Sequence, residues 1–475
     1  MRISQKYNLD KTQAELDFVD IDPEEDITLF LDPFFLSKRQ DNWSIEAART
    51  IRSFFQRVVN TIRRGAEKEA KELFQHLHEP NSTCLGMSIG NPRGRGVGNT
   101  DTDKIYDSLL RSRAIQTGLV QDIEDNVLFV ENFGKDKLSD MTTNIITKHL
   151  IEYTQNQCNL HNIPLRPGTS SGYYWNRNTN EWETAYTDML VIDGKKILLV
   201  PKGIVSFSKA YTPDTYYNRF VLDFLQNEYI RIQSALVQQK KNGTPYVTKK
   251  SLSKEHPLSK EFLRNFTREH PEILDDFKEQ LEVEPLTNRE ISPISIKQVI
   301  QSLITRLQAI PSGTNDASAY HNIIIGILEI IFYPSLINPI KEKEIHQGRK
   351  RIDITFDNAA KKGIFKRLPD NQNIPCNYIF IECKNYSRDV TNPELDQMGG
   401  RFSVGRNQVG FIVCRSIDNM NLFLDRCQDT FKDGRGLIIP LVDKDLIDLL
   451  QNYNDYNQEY SEQFFTNRIR NITLS

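Results

Sequence analysis

Between Tyr378 and Lys384 the chain reads Tyr-Ile-Phe-Ile-Glu-Cys-Lys, an apolar run without alternation that ends in an acid and a base two positions apart. A run with no polar face reads as an interior strand covered on both sides. Charges at the end of such a strand need a reason, because Glu and Lys are almost never fully buried unless paired. Strand side chains alternate, so Glu382 and Lys384 share one face and Cys383 takes the other. Glu69-Ala-Lys71, Asp193-Gly-Lys195 and Asp276-Phe-Lys278 have the same spacing but read as a polar helix, a hairpin turn and a charged helical stretch, where charges stay solvated.

The residues around this strand predict an ordered series of elements. A helix is expected over 316–332, strands over 336–345, 349–356 and 378–384, a helix over 393–404, a strand over 409–415, a helix over 419–431, a strand over 436–442 and a helix over 443–452. The later alternation of strand and helix implies a central sheet covered by helices, an α/β unit within a chain that is α+β overall. In Arg351-Ile-Asp353-Ile354 one acid stands between two isoleucines, so Asp353 projects opposite to them. Paired with the Glu382 strand, Asp353 completes a cluster of two carboxylates and one ammonium.

That combination suits phosphodiester hydrolysis. Asp353, Glu382 and the backbone carbonyl of Cys383 are the hard oxygen donors that Mg²⁺ prefers, and Mn²⁺ substitutes for it. Lys384 can orient or deprotonate a water and offset charge in the transition state. The competing reading is a buried ion pair at a strand end, with Asp353 capping a turn. The helix after the strand starts at Asn392-Pro393 and places Glu394, Gln397 and Arg401 on one side. Gln397 is a candidate for orienting a metal-bound water, and Arg401 and Arg406 for holding a phosphate, with solvated surface as the alternative for each. Gly399-Gly400 inside this helix suggests a close approach by substrate or backbone. Lys341, Lys343, Arg349, Lys350 and Arg351 crowd one short stretch; Arg349, Lys350 and Arg351 are candidate nucleic-acid contacts. The net charge of −3 excludes a polybasic coat, so attraction to phosphate rests on such patches.

The length of 475 residues exceeds what one core usually organises. We read an N-terminal mixed α/β domain over 1–215, a charged helical connector over 216–291 and the sheet-bearing domain over 292–475. The first domain offers a strand at Ile27–Leu31 and a helix capped by Ser44 with Ile51, Phe54, Phe55, Val58, Val59 and Ile62 at helical spacing. A helix from Met141 to Tyr153 capped by Ser139-Asp140, and a hairpin turning at Asp193-Gly194, follow. The glycines from Gly86 to Gly98, with Arg93 and Arg95, lack the Gly-Lys-Ser/Thr of a phosphate loop. Tyr173, Tyr174, Trp175 and Trp182 suit either base stacking or packing of a hairpin on itself. No run reaches the length of a membrane span, the opening residues show no leader pattern, and the six cysteines form no C-x-x-C pair. A cytoplasmic protein with reduced, mostly buried cysteines and no membrane partner is expected, and a homo-oligomer.

Gly348-Arg-Lys-Arg-Ile-Asp353-Ile354, Ile379-Phe-Ile-Glu382-Cys-Lys384-Asn385, the Gln397 helix and the ending Leu437-Ile-Ile-Pro-Leu-Val-Asp443 together resemble the PD-(D/E)xK nuclease superfamily, in its Mrr-like branch of restriction endonuclease folds. The resemblance covers about residues 315–450. It implies Mg²⁺-dependent cutting of DNA, often foreign DNA in bacterial defence, with Asp353 and Glu382 as metal ligands and Lys384 as the catalytic lysine. It also puts His321 where the family often has Glu, and Glu329 two turns further along the same helix. His321 either bonds a metal-bound water or packs. The insertion 358–374, with Lys361, Lys362, Lys366 and Arg367, is either a DNA-backbone contact or a solvated loop. The N-terminal domain resembles no family and is expected to gate the site through a DNA feature, a small ligand or a partner protein. A non-catalytic nuclease fold that binds DNA or scaffolds a complex, and a nuclease directed at RNA, are the alternatives.

Overall fold

The computed structural model describes residues 1–86, 113–116, 118–207, 209–345, 350–403, 407–455 and 457–474, with side chains for all of these except 113, 116, 342–345 and 350–352. Gly90, Gly94, Gly96, Gly98, Arg93, Arg95, Arg349 and Arg406 lie outside the described residues. The chain is mixed α/β, with its apolar residues gathered into two large cores.

The first core is built around α1 (Asn42–Arg63), α2 (Lys135–Ile145) and α3 (Thr147–Leu160) and a three-stranded antiparallel sheet of β1 (Arg166–Asn176), β2 (Glu181–Ile192) and β3 (Lys195–Ile197). The cap of α1 is Asp41, whose carboxylate accepts the Ser44 amide at 2.9 Å, so the helix starts before the expected Ser44. Phe54, Phe55, Val58 and Ile62 point into the core as their spacing predicts. The helix expected from Met141 to Tyr153 is two helices, α2 and α3, joined at Ile146. Asp193 and Gly194 both hold positive φ, 50° and 81°, which matches the twist of a two-residue hairpin between β2 and β3. Trp175 and Trp182 pack edge-on against Phe54 and each other, and their indole N–H groups donate to Ser53 and to the Leu73 carbonyl. Both are thus used internally.

The helices between Pro213 and Ile291, expected as a connector, close this first core through Tyr216, Leu252, Leu263, Phe266, Leu274 and Phe277.

The second core surrounds a five-stranded sheet. Its strands are β4 (Leu336–Ile345), β5 (Lys350–Asn358), β6 (Tyr378–Lys384), β7 (Val409–Cys414) and β8 (Leu437–Val442), in spatial order β8-β7-β6-β5-β4. β6, β7 and β8 run parallel, and β4 and β5 are antiparallel to their neighbours. Preceding the sheet are α4 (Ile296–Ala309) and α5 (Ala317–Phe332); α6 (Ile364–Gln372), α7 (Asn392–Gly399), α8 (Met420–Lys432), α9 (Asp443–Gln451) and α10 (Glu459–Thr473) complete the unit. The order of elements follows the sequence expectation, with α4, α6 and α10 in addition.

The cores meet along α5. Every residue from Ile323 to Phe332 is buried. At Gly326 a Cβ would lie 2.9 Å from the Lys11 Nζ and 3.4 Å from the Glu15 Cβ, so the N-terminal segment packs closely on α5 here. The Lys11 ammonium donates to the Asn322 carbonyl at 2.9 Å, and Asp17 accepts the Asn338 amide at 3.1 Å. The insertion 358–374 forms α6, and its cations are held within the chain: Lys361 on the Val283 carbonyl, Lys362 by Glu284, Lys366 by Gln40 and Asp370, Arg367 by Glu462.

Candidate functional site

The parallel register aligns Lys384 with Cys414 and Cys414 with Val442, so the carboxyl ends of β6, β7 and β8 share one edge. This is the edge where open α/β sheets place ligands. β5 runs the other way with Ile354 opposite Ile381, which brings Asp353 beside the end of β6. The Asp353 carboxylate accepts the Cys383 amide at 3.1 Å. Asp353, Glu382 and Lys384, chosen from separate stretches of sequence, are therefore neighbours.

Glu382 is 1% exposed and lies between two cations. Its Oε1 accepts from the Lys384 Nζ at 2.7 Å, and its Oε2 forms an ion pair with the Arg401 guanidinium. Lys384 also reaches the Gln397 Oε1 at 3.5 Å, which places Gln397, on an exposed turn of α7, at the mouth of the site. Burial pushes the Arg401 guanidinium below its usual value, and the Asp353 charge pulls the other way.

Arg401 departs from its expected place. The helix expected to reach Val404 ends at Gly399, with Gly400 as its cap and Thr391, rather than Asn392, capping its start with Glu394. Gly399-Gly400 therefore terminates α7 instead of lying inside it. Arg401 sits on the turn that follows and points at Glu382 instead of sharing the solvent side of α7 with Gln397. Phe402 fixes that turn: its ring stacks on Phe380 at 6.0 Å and fills the space that a side chain at Gly410 or Gly436 would need.

On the opposite side of β6, the His321 Nε2 lies 3.1 Å from the Cys383 carbonyl oxygen. That carbonyl thus has a side-chain partner already. Glu329 does not serve this site; it pairs with Lys202 of the first core at 3.2 Å. Asn385 ties the strand end to the loop before α5 by donating to the Pro311 and Gly313 carbonyls at 3.0 and 2.8 Å. Tyr320 donates to Asp443 at 2.8 Å, Arg415 pairs with the same carboxylate at 3.2 Å, and burial lifts Asp443 to about 6. The backbones of Lys350 and Arg351 lie on β5, the strand that carries Asp353.

Among the described residues no three His, Cys, Asp or Glu side chains gather as a metal cluster. The site offers two carboxylates and a shared carbonyl. The Glu382 Oε2 is buried without a hydrogen bond of regular geometry, although it touches Arg401. Asp353, Glu382 and the Cys383 carbonyl are hard oxygen donors of the kind a divalent cation prefers, with Lys384 and Arg401 paired to the two Glu382 oxygens in this structure.

A family described as "Domain of unknown function (DUF8370)" matches residues 8–212. The matched segment is similar to that family and contains none of the residues named at this site. Comparison with curated proteins and with solved structures gives no match. No helix among the described residues is long and apolar enough to cross a membrane, and the six cysteines are buried and unbonded.

Proposed function

We propose that this chain is a divalent-cation-dependent nuclease that hydrolyses phosphodiester bonds of DNA, cytoplasmic and directed at foreign DNA, with the N-terminal lobe controlling the site at the end of β6. The observation that carries the reading is the meeting of Asp353, Glu382, Lys384 and Gln397 at the carboxyl edge of the sheet. The resemblance of the strand motifs to the PD-(D/E)xK superfamily supports it. Asp353, Glu382 and the Cys383 carbonyl would hold Mg²⁺ or Mn²⁺, which when bound polarises the phosphodiester and acidifies a water.

The protein's own groups supply the rest. Lys384, hydrogen-bonded to Glu382 and within reach of Gln397, is placed to orient the attacking water and to offset charge growing on the phosphate oxygens. Gln397 holds the Lys384 ammonium toward the open side. His321 holds the Cys383 carbonyl, and with it the strand end, in one orientation. Lys350 and Arg351 on β5 and Arg349 before it are the basic residues nearest in sequence to Asp353 and suit the DNA backbone.

A second reading, a DNA-binding protein of the same fold without catalysis, is favoured by one observation: Arg401 and Lys384 both pair with Glu382. Incubating the full chain with plasmid DNA and with structured RNA, in Mg²⁺, Mn²⁺ and EDTA, separates the readings. Cation-dependent DNA cutting that disappears in Asp353→Ala and Lys384→Ala is the expected result. Cutting that survives both substitutions, or DNA binding with no cutting under any cation, overturns the proposal, and preference for RNA moves the substrate.

A further inference from the structure

We propose that the N-terminal lobe carries a ligand site of its own, a cavity between α2, α3 and the sheet of β1, β2 and β3 that takes a nucleoside monophosphate. The site stands apart from the nuclease reading. Every residue that lines it lies within the segment 8–212 matched by the family, and none belongs to the end of β6.

Size and build come first. The cavity holds about 380 Å³, within the roughly 300–1,000 Å³ that small-ligand sites occupy. Its walls come from separate stretches of chain: the loop 78–82, Asn144 and Thr147 where α2 meets α3, the stretch 171–173 of β1, Met189 of β2, and the lysines of β3. These walls are fastened to one another. The Asn144 amide donates to the His78 carbonyl at 2.6 Å, the Leu198 N–H to the Ser82 carbonyl at 2.8 Å, and the Ser171 hydroxyl accepts the Ala185 amide at 2.9 Å. The shape is therefore set before a ligand arrives, which lowers the entropy cost of binding one.

The lining identifies the ligand. Asn144 is 7% exposed, and both protons of its amide nitrogen are used, on the carbonyls of His78 and Asp140. Its Oδ1 accepts from no described residue, although the side chain lines the cavity. An unmet buried acceptor costs about 1–3 kcal/mol, so this oxygen calls for an N–H or O–H donor inside the cavity. Glu79 adds a carboxylate suited to ribose hydroxyls. Burial and the Lys196 charge hold His78 below its usual value, so a neutral imidazole stands beside them.

Lys196 supplies the cation. Its Nζ reaches the Ser170 carbonyl at 3.3 Å and pairs with no carboxylate among the described residues, whereas Lys195 is held by Glu24 at 3.0 Å. Gly172 keeps that ammonium accessible: its φ is 77°, and a Cβ there would stand 3.5 Å from the Lys196 Nζ. Tyr173 supplies a flat face. One side of its ring stacks on His76 at 3.7 Å, and the residue is still 48% exposed, which leaves the other side for a base. Met189 and Leu198 are buried and form an apolar floor. An orphan acceptor, an unpaired ammonium, an open aromatic face and an apolar floor together match a base with its ribose phosphate, not a bare anion.

Calorimetry and thermal melting of the full chain in EDTA test the site, with adenosine, guanosine, cytidine and uridine monophosphates set against their nucleosides, ribose 5-phosphate and inorganic phosphate. EDTA removes cation-mediated binding at the end of β6. One or more of the nucleotides is expected to bind and to raise the melting temperature, with its nucleoside and the base-free phosphates about tenfold or more weaker. Lys196→Gln is expected to bring the nucleotide down to the affinity of its nucleoside. Tyr173→Ala is expected to weaken nucleotide and nucleoside alike by about tenfold, with Tyr173→Phe behaving as wild type. Both side chains are exposed, so the fold tolerates their replacement, and circular dichroism checks it. Failure of all the nucleotides to bind, binding that survives both Lys196→Gln and Tyr173→Ala, or equal affinity for inorganic phosphate overturns the inference. In each of those cases plasmid cutting by wild type leaves the nuclease reading standing.

Discussion

Among the described residues two lysine–glutamate ion pairs have a buried carboxylate, and their surroundings differ. Lys202 and Glu329 meet at 3.2 Å between the two cores, at 0% and 1% exposure; Lys384 and Glu382 meet at 2.7 Å at the end of β6, at 11% and 1%. The first pair is sealed. Lys202 also contacts the Ala14 carbonyl at 3.3 Å, Asn288 at 3.4 Å and the face of Tyr333 at 4.3 Å, and burial lifts the Glu329 carboxyl to about 8 against the pull of Lys202. The second pair opens toward Gln397, has a further carboxylate in Asp353 beside it, and has a competing cation in Arg401. A Lys–Glu pair is therefore no mark of chemistry.

Substitutions that break one pair and spare the other sharpen this contrast. The largest effect is expected from Lys202→Met, which removes the buried ammonium facing Glu329, leaves the Ala14 carbonyl and the Asn288 side-chain oxygen without their donor, and lowers unfolding free energy by about 3 kcal/mol in chemical denaturation. Retained stability in this variant would show that the lobes are joined by their apolar contacts alone. Lys384→Ala should do the reverse, reducing DNA cutting by about 10²–10³-fold with a small change in melting temperature.

A pH titration of stability also separates the pairs. Folded protein keeps the Glu329 proton up to about pH 8, whereas the unfolded chain releases it near 4.5, so folding takes up a proton in that window and stability falls as pH rises through it. Glu329→Gln should flatten the fall in melting temperature between about pH 5 and 8; identical slopes in both proteins would contradict the assignment. The smallest effect is expected at Gln397→Ala, about tenfold in cutting rate without a stability change, since Gln397 only holds Lys384 at 3.5 Å.

What could be read from the chain depended on whether a signal was local. β6, β7 and β8 are continuous apolar runs with turn residues at their ends, so their existence and order were readable, and Glu382 with Lys384 followed from alternation along one strand. Asp353 was reachable because its neighbours are isoleucines. Arg401 was not, since its contact depends on α7 stopping at Gly399 and on Phe402 seating against two glycines far apart in sequence. The helices of 213–291 read as a connector because their outer faces are charged; Leu263, Phe266 and Phe277 on the inner faces were too sparse to announce a core. α6 was hidden by Gly363 at its start and Pro369 within it, and the N-cap of α1 fell to Asp41 when Ser44 offered an equally good hydroxyl.

Gly326 carries a consequence for how such a chain can change over time. Because α5 is buried from Ile323 to Phe332, one side of it belongs to the sheet and the other to the N-terminal segment at Lys11 and Glu15. The C-terminal half is thus not a portable cassette: cut away near Ser292, it would carry a sticky helix and aggregate. Shuffling this half onto an unrelated partner would require a new cover for that helix, so the two halves are expected to be inherited as one piece.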